Sequence, residues 1–388
     1  MAAKISLPRH TQFLQTDILK MNRAPDEKIK LNPVEIDNET FYRISNVDAM
    51  RPFFMSIVSD SNHWMFVSSN GALTAGRKSP EFSLFPYYTD DKITESADLT
   101  GSKSIFRIHK ENKTFIWEPF SERMLGMYRV SRNLYKSVYS NKIIFEEINH
   151  DLELCFRYEW NSSDLFGFVK KSTLINQSKE KLSITILDGI QNIVPYGVGS
   201  ELQRNVSNLA DAYKRSELNK ENGMGIFALS AIIVDKAEPS EALKANIVWS
   251  ICIDEPNHLL SSLQLKNFRN NLDIHEETDI KGEKGAYFIF YDALLSPNTE
   301  KGWMIIANVN QTHSSICSLS EEIKNKKSII QKIQDDIDLG TKNLVQLNAS
   351  ADALQFTADD LQDTRHFSNV LFNIMRGGIF DFNYQIEK

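Results

Sequence analysis

Short runs of β-branched and aromatic residues, separated by polar turns, begin at Phe41 and recur as far as Asn308. From Leu152 to Trp160, the residues Leu154, Phe156, Tyr158 and Trp160 alternate with smaller or charged ones, the period of a half-buried strand. Leu182, Ile184 and Ile186 repeat that pattern after a turn at Asn176 to Lys179. Trp64–Ser68, then Ser69-Asn70-Gly71, then Ala72–Ala75 predicts a strand, a tight turn and a second strand, because Asn-Gly tolerates positive φ. Ile105–His109 and Thr114–Trp117 flank Lys110 to Lys113, and Ile143–Ile148 precedes Leu152–Trp160 across Asn149-His150-Asp151. Further strands are predicted at Ile226–Val234, Ile247–Ile253, Ala286–Tyr291 and Trp303–Asn308. So many strands with few helices between them predict a mainly β fold, a large antiparallel β-sandwich followed by C-terminal helices. The strand–helix alternation of a doubly wound α/β fold is missing.

Helical periodicity enters in three places. Ser200-Glu201-Leu202-Gln203 has the form of a capping box, and Leu202, Val206, Leu209 and Tyr213 then share one face. A second helix is predicted over Leu259 to Asn271. After Asn310 the pattern changes: Ile316, Leu319, Ile323, Ile330, Ile333 and Ile337 occupy a and d positions of a heptad, with Lys326 as a break and Ser318 and Glu321 as candidate caps. Three heptads suit a long helix packed on the sandwich better than a free coiled coil. Thr357-Ala358-Asp359-Asp360 opens another helix, expected to run to Arg376 and stop at Gly377-Gly378. The expected layout is an N-terminal arm or leading strand over 1–40, a β domain over 41–315 and linker helices over 316–378. The alternating apolar stretch Phe380, Phe382, Tyr384 and Ile386, within 379–388, reads as the start of a further domain or as a dimer contact.

Composition narrows the function classes. Charged residues make up 24% of the 388 and the net charge is −7, with both signs mixed along the chain, so the basic stripe of a nucleic-acid binder is missing. No apolar run is long enough to span a bilayer, and Met1 to Leu14 lacks the apolar core of a signal peptide, so a cytoplasmic location is expected. Cys155, Cys252 and Cys317 are far apart and form neither a disulfide framework nor a metal-ligand spacing; no cofactor is expected. No G-x-S-x-G, P-loop, H-E-x-x-H or C-x-x-C motif is present.

The densest polar–aromatic cluster runs from Arg51 to Lys92 and contains Asp60, His63, Trp64, Arg77, Tyr87, Tyr88, Asp90 and Asp91. Sugar sites combine aromatic faces for the C–H side of the ring with charged groups for the hydroxyls, and this composition suits one. The same residues also fit a structural role, with Trp64 in the core and Phe85-Pro86-Tyr87-Tyr88 as a plug. Paired acids for glycoside hydrolysis must face each other across a cleft. Glu146-Glu147 lie on a strand and so point to opposite faces, Asp359-Asp360 sit where helix starts attract acids, and Asp90-Asp91 qualify by composition alone. The histidines are scattered: His109 and His150 fall at turns and His275 lies in a polar loop.

The run from Asn46-Val47-Asp48-Ala49-Met50-Arg51-Pro52-Phe53-Phe54 through Gly71-Ala72-Leu73-Thr74-Ala75-Gly76-Arg77, with Asp188-Gly189-Ile190-Gln191-Asn192-Ile193-Val194-Pro195-Tyr196-Gly197, carries a family resemblance. It is similar to the N-terminal region of bacterial proteins resembling cellobiose and chitobiose phosphorylases. The resemblance spans roughly residues 40 to 388. It implies a supersandwich similar in topology to galactose mutarotase, then a helical linker, then an (α/α) barrel that carries the catalytic acid and lies outside this chain. On that basis the chain is expected to be an accessory module of a glycoside phosphorylase or hydrolase-like enzyme, with carbohydrate, the barrel and a second copy as partners. A complete mutarotase-like epimerase and a stand-alone carbohydrate-binding protein are the alternatives.

Overall fold

A computed structural model describes residues 28–88, 90–110, 113–205, 207–231 and 244–375. The period-2 runs become strands. The first seven are β1 (Lys30–Ile36), β2 (Glu39–Ser45), β3 (Phe54–Ile57), β4 (His63–Ser68), β5 (Leu73–Arg77), β6 (Gly101–Lys110) and β7 (Lys113–Trp117). Next come β8 (Val130–Ser137), β9 (Ile143–Asn149), β10 (Leu154–Ser163), β11 (Gly167–Asn176) and β12 (Leu182–Ile193). The last are β13 (Lys214–Asn219), β14 (Met224–Leu229), β15 (Lys244–Ile251), β16 (Asn257–Leu259), β17 (Asp279–Lys281), β18 (Gly285–Leu295) and β19 (Glu300–Thr312). Between and after them lie α1 (Asp90–Glu95), α2 (Ser200–Asn205), α3 (Ser207–Tyr213), α4 (Leu265–Arg269), α5 (His313–Ile323), α6 (Lys326–Ser350) and α7 (Asp360–Met375).

Three antiparallel sheets result. The largest has eleven strands in the order β1-β2-β8-β9-β10-β11-β19-β15-β14-β13-β17; the second is β16-β18-β12-β6-β7 and the third β3-β4-β5. Alternation explains their packing. Phe156, Tyr158 and Trp160 of β10, with Phe168 and Leu174 of β11, face Phe106 and Ile108 of β6 and Ile184, Ile186 and Ile190 of β12 in one core. The three-stranded sheet adds Ile57, Met65, Val67, Leu73 and Ala75 to that core. The fold is therefore mainly β and sandwich-like, as the patterning predicts.

The outer face of the eleven-stranded sheet is covered by α6. Ile329, Ile333 and Ile337 bury against Val169, Trp249 and Ile306. Their spacing of four, rather than the heptad spacing through Ile330, is that of one helix lying on a sheet, where a 3.6-residue stripe needs no supercoiled partner. The break near Lys326 is a boundary between two helices. Asn325 caps α6 by accepting from the Ser328 N–H, and Thr312 caps α5 by accepting from that of Ser315. The predicted caps Ser318 and Glu321 thus lie inside α5.

One other helix prediction needs correction. Over Leu259 to Asn271 only Leu265–Arg269 is helical, because Leu259 pairs with Phe288 and the Leu260 carbonyl accepts from Ala286 at 2.9 Å. The helix predicted from Ser200 is found over Ser200–Asn205 and Ser207–Tyr213, with residue 206 between them outside the described residues. At the N-terminus, residues 30–36 form a leading strand paired along β2. The expected stop at Gly377-Gly378 and the Phe380 to Ile386 stretch lie outside the described residues, as do positions 232–234 of the strand predicted past Leu229. No described helix is long and apolar enough to cross a membrane.

Candidate functional site

The three-stranded sheet carries Trp64 of the predicted cluster, and the segment that follows the sheet carries Tyr87 and Tyr88. On β4, His63, Met65 and Val67 point inward, so Trp64 and Phe66 point to the opposite face. Gly76 lies directly across from Trp64, and a Cβ there would fall 2.4 Å from the indole Cζ2 and 2.5 Å from the Phe82 carbonyl. Only glycine lets the indole lie flat over β5. The indole N–H donates to the Ser79 carbonyl at 3.3 Å. Tyr87 stands edge-on to Trp64, with centroids 5.5 Å apart, and Phe66 follows at 6.3 Å. The Tyr87 segment is pinned by Thr74, whose hydroxyl donates to the Pro86 carbonyl at 2.8 Å, and by Phe85, which is fully buried against Trp160. Phe85 is thus the plug, while Tyr87, two residues on, stays 40% exposed. Of the five tryptophans, Trp117, Trp160, Trp249 and Trp303 are 2% exposed or less; Trp64 is half-buried.

The other residues of the cluster go elsewhere. His63 lies on the core side of β4, where Ser61 Oγ meets its Nδ1 at 2.8 Å and Phe168 packs edge-on at 4.9 Å. Burial, helped by the Arg77 charge, lowers its pKa to about 3, so it is neutral over the working range of an acid–base histidine. Arg77 is consumed by structure: it donates to Asn62 Oδ1 at 2.7 Å, to the Asp164 carbonyl at 2.9 Å and to Asp164 Oδ1 at 2.6 Å. Asp60 accepts from Asn343 of α6 at 2.9 Å. Arg51 is exposed in the loop before β3. Burial and Asp211 raise the phenol pKa of half-buried Tyr88. Asp90 and Asp91 begin α1, and their side chains lie outside the described residues. Trp64 and Tyr87 are therefore brought together, and His63, Asp60 and Arg77 are not part of that face.

The acidic pairs behave as strand geometry dictates. Glu146 accepts from Asn133, Tyr135 and Arg157, while Glu147, on the other face, accepts from Trp117 at 2.8 Å and Arg132 at 2.7 Å. Asp359 caps α7, accepting from the Gln362 N–H at 3.1 Å. His109 meets Thr185 at 2.9 Å and His150 meets Ser131 at 2.8 Å. His258 lies 3.5 Å from Glu276; burial lowers its pKa although Glu276 opposes the shift. Among the described residues no group of three or more His, Cys, Asp or Glu could hold a metal.

Sequence reasoning missed two buried ionic clusters. Between the sheets, Lys170 of β11 donates to both oxygens of Asp188 of β12, at 2.6 and 2.8 Å, with both side chains fully buried. Ser104, Ser172 and the Trp303 indole complete the Asp188 shell at 2.5, 3.0 and 2.7 Å. Burial pulls the Lys170 pKa down while Asp188 opposes it. The available signal was a charge at the inward phase of each strand: Phe168, Lys170, Ser172 and Leu174 on one, Ile184, Ile186, Asp188 and Ile190 on the other. In the second cluster, Glu118 is gripped by Arg269 at 2.6 and 2.9 Å and by Lys103 at 2.9 Å. Burial pushes the Glu118 carboxyl up, but the two cations outweigh it and hold the pKa at about 2.

No family model and no curated protein sequence matches the chain. Among solved structures, a bacterial glucoamylase complexed with acarbose is similar over 84% of this chain and 40% of its own, at 9% identity and a TM-score of 0.44. A provisionally assigned kojibiose phosphorylase from the human microbiome is similar over 70% of this chain and 31% of its own, at 10% identity and 0.38. A provisionally assigned aldose 1-epimerase from Klebsiella pneumoniae subsp. pneumoniae is similar over 78% of this chain and 92% of its own, at 8% identity and 0.29. The chain thus spans less than half the length of the first two. At such identities and scores these likenesses carry no inference about what the chain acts on.

Proposed function

We propose that the chain is a carbohydrate-binding accessory module of a carbohydrate-active enzyme, glycoside phosphorylase or hydrolase-like, holding saccharide on the Trp64–Tyr87 face. The observation that carries this reading is the half-buried indole with a tyrosine ring set at 84° to it, on the side of the three-stranded sheet away from the core. An indole held flat by Gly76 and a neighbouring phenol form a corner that takes the C–H face of a sugar ring and offers a hydroxyl beside it. Glu146 and Glu147 are both buried, face opposite ways and are engaged with their own cations, which suits support rather than a hydrolytic pair. The sequence resemblance to the region before a catalytic barrel agrees with this division of labour.

The test is a fluorescence titration with cellobiose and with maltose. Trp64 is the tryptophan that a surface ligand can reach, so a saturable emission change is expected, and Trp64→Ala abolishes it. Tyr87→Ala weakens binding by about 0.5–1.5 kcal/mol, the worth of one aromatic contact. No saturable change with either sugar, or a change that survives in Trp64→Ala, refutes the reading. Acceleration of aldose anomerisation by the purified chain would replace it with the epimerase alternative.

A further inference from the structure

On the face of the eleven-stranded sheet that carries α6, strands β2, β8, β9 and β10 continue as a polar surface. Ile44, Leu134, Phe145 and Phe156 of these strands point into the core, so Arg43, Asn133, Tyr135, Glu146 and Arg157 point the other way. The register sets them side by side: Arg43 pairs with Tyr135, Asn133 with Glu146, and Glu146 with Arg157. Glu146 is 2% exposed and engaged on both oxygens, accepting from Asn133 at 2.7 Å, from Tyr135 at 2.8 Å and from Arg157 Nε. Both guanidinium groups reach Tyr135. Burial and Glu146 raise its phenol pKa, while the Arg157 charge and a hydrogen bond from Arg43 oppose the rise.

The charges of this surface do not balance. One carboxylate, Glu146, faces two arginines. Arg157 spends Nε on Glu146, its side chain is 41% exposed, and among the described residues its terminal nitrogens bond nothing else. Among the described residues no carboxylate pairs with half-buried Arg43, and its buried Nε has no acceptor. The other acids on this face are matched: Glu39 pairs with Lys142, and Glu159 lies across from Lys171 and feels its charge. An arginine cannot escape by shedding its proton, because its pKa is above about 12. A guanidinium withdrawn from water attracts a counter-charge more strongly than one in bulk solvent. Its planar fork of N–H donors matches the paired oxygens of a carboxylate or a phosphate.

We propose that Arg43 and Arg157 bind an oxyanion beside Tyr135, either inorganic phosphate or the carboxylate of an acidic sugar. The site is on a different sheet from Trp64 and does not rest on saccharide binding there.

The probes are inorganic phosphate and glucuronate, followed on the full chain at constant ionic strength by phosphorus NMR line width and by saturation-transfer NMR. Saturable binding in the millimolar range is expected for at least one of them. Phosphate that glucuronate does not displace identifies the free anion as the ligand; glucuronate that phosphate does not displace identifies the acidic sugar. Arg43→Gln removes the unmatched charge and leaves the Glu146–Arg157 pair in place, and weakens binding at least about tenfold, the worth of one charge-assisted hydrogen bond. Asn32→Glu, at the exposed position paired with Arg43 across β1 and β2, supplies an internal counter-charge and weakens binding as well. Arg123→Gln, at an exposed arginine after β7, leaves binding unchanged. Binding of neither anion, binding by Arg43→Gln equal to that of the parent, or an equal loss in Arg123→Gln would each overturn the assignment. If Arg43→Gln does not fold, Asn32→Glu carries the same test, and undiminished binding there counts against the site.

Discussion

Asp188 sits where the core can least tolerate a lost charge. Asp188→Asn keeps the shape of the side chain and one oxygen to accept from the Trp303 indole, but leaves the Lys170 ammonium without a counter-charge in a fully buried position. Removing one partner of a buried pair costs about 3–5 kcal/mol. An independent bound agrees: a stranded lysine can escape by losing its proton, which costs about 4.6 kcal/mol at pH 7 from an ordinary pKa. That escape sets a sign. Stripped of Asp188, Lys170 binds its proton less readily in the folded state than in the unfolded one, so stability rises with pH. The gap between Asp188→Asn and the parent should therefore narrow as pH is raised from 7 toward 10. The double variant Lys170→Met, Asp188→Asn should recover at least about 2 kcal/mol, because no charge is then buried. Equilibrium urea unfolding followed by far-UV circular dichroism, repeated across pH, measures all three. The reasoning fails if Asp188→Asn costs under about 1 kcal/mol, if the gap widens with pH, or if the double variant is the sum of its singles.

Two further outcomes follow from the same geometry. Glu118 has a folded pKa of about 2, below its unfolded value, so its contribution is complete above the unfolded value and is lost as pH falls through the folded one. Glu118→Gln should flatten the stability–pH curve between about pH 4.5 and pH 2, removing on the order of 3 kcal/mol of pH-dependent stability; an unchanged slope would contradict the Arg269–Lys103 grip. Gly76→Ala should displace the Trp64 indole, because the added carbon falls 2.4 Å from it while Phe82 blocks the other side. Tryptophan emission should shift to the red, with a loss of about 1–3 kcal/mol from overpacking, and an unshifted spectrum would mean that the indole does not lie on β5.

The strands were the legible part of the chain, because a side-chain period of two is imposed by burial and is written into β10 from Leu154 to Trp160. The candidate cluster was only half legible, for the same reason. His63 and Trp64 are adjacent in sequence, yet a strand sends neighbours to opposite faces, and one became a neutral core residue while the other reached the surface. The helix predicted through Asn271 shrank to one short turn because Leu259 was claimed by pairing with β18, a tertiary demand that local periodicity does not encode. Lys170 and Asp188 were visible as charges in the inward phase of their strands. Their meeting depended on how one sheet lies over the other, and that is not a local property.

β19 is the last of the described strands along the chain and sits in the middle of the eleven-stranded sheet, between β11 and β15. A nascent polypeptide that has not yet delivered residues 300–312 therefore holds two half-sheets with open facing edges. This strand acts as a keystone: it joins the run β1-β2-β8-β9-β10-β11 to the β15 side and supplies the Trp303 indole to Asp188 in the same act. Assembly should be governed by the arrival of that strand, since the rewarding contacts are distant in sequence. A cut upstream of Glu300 would divide the sheet in two rather than trim its edge.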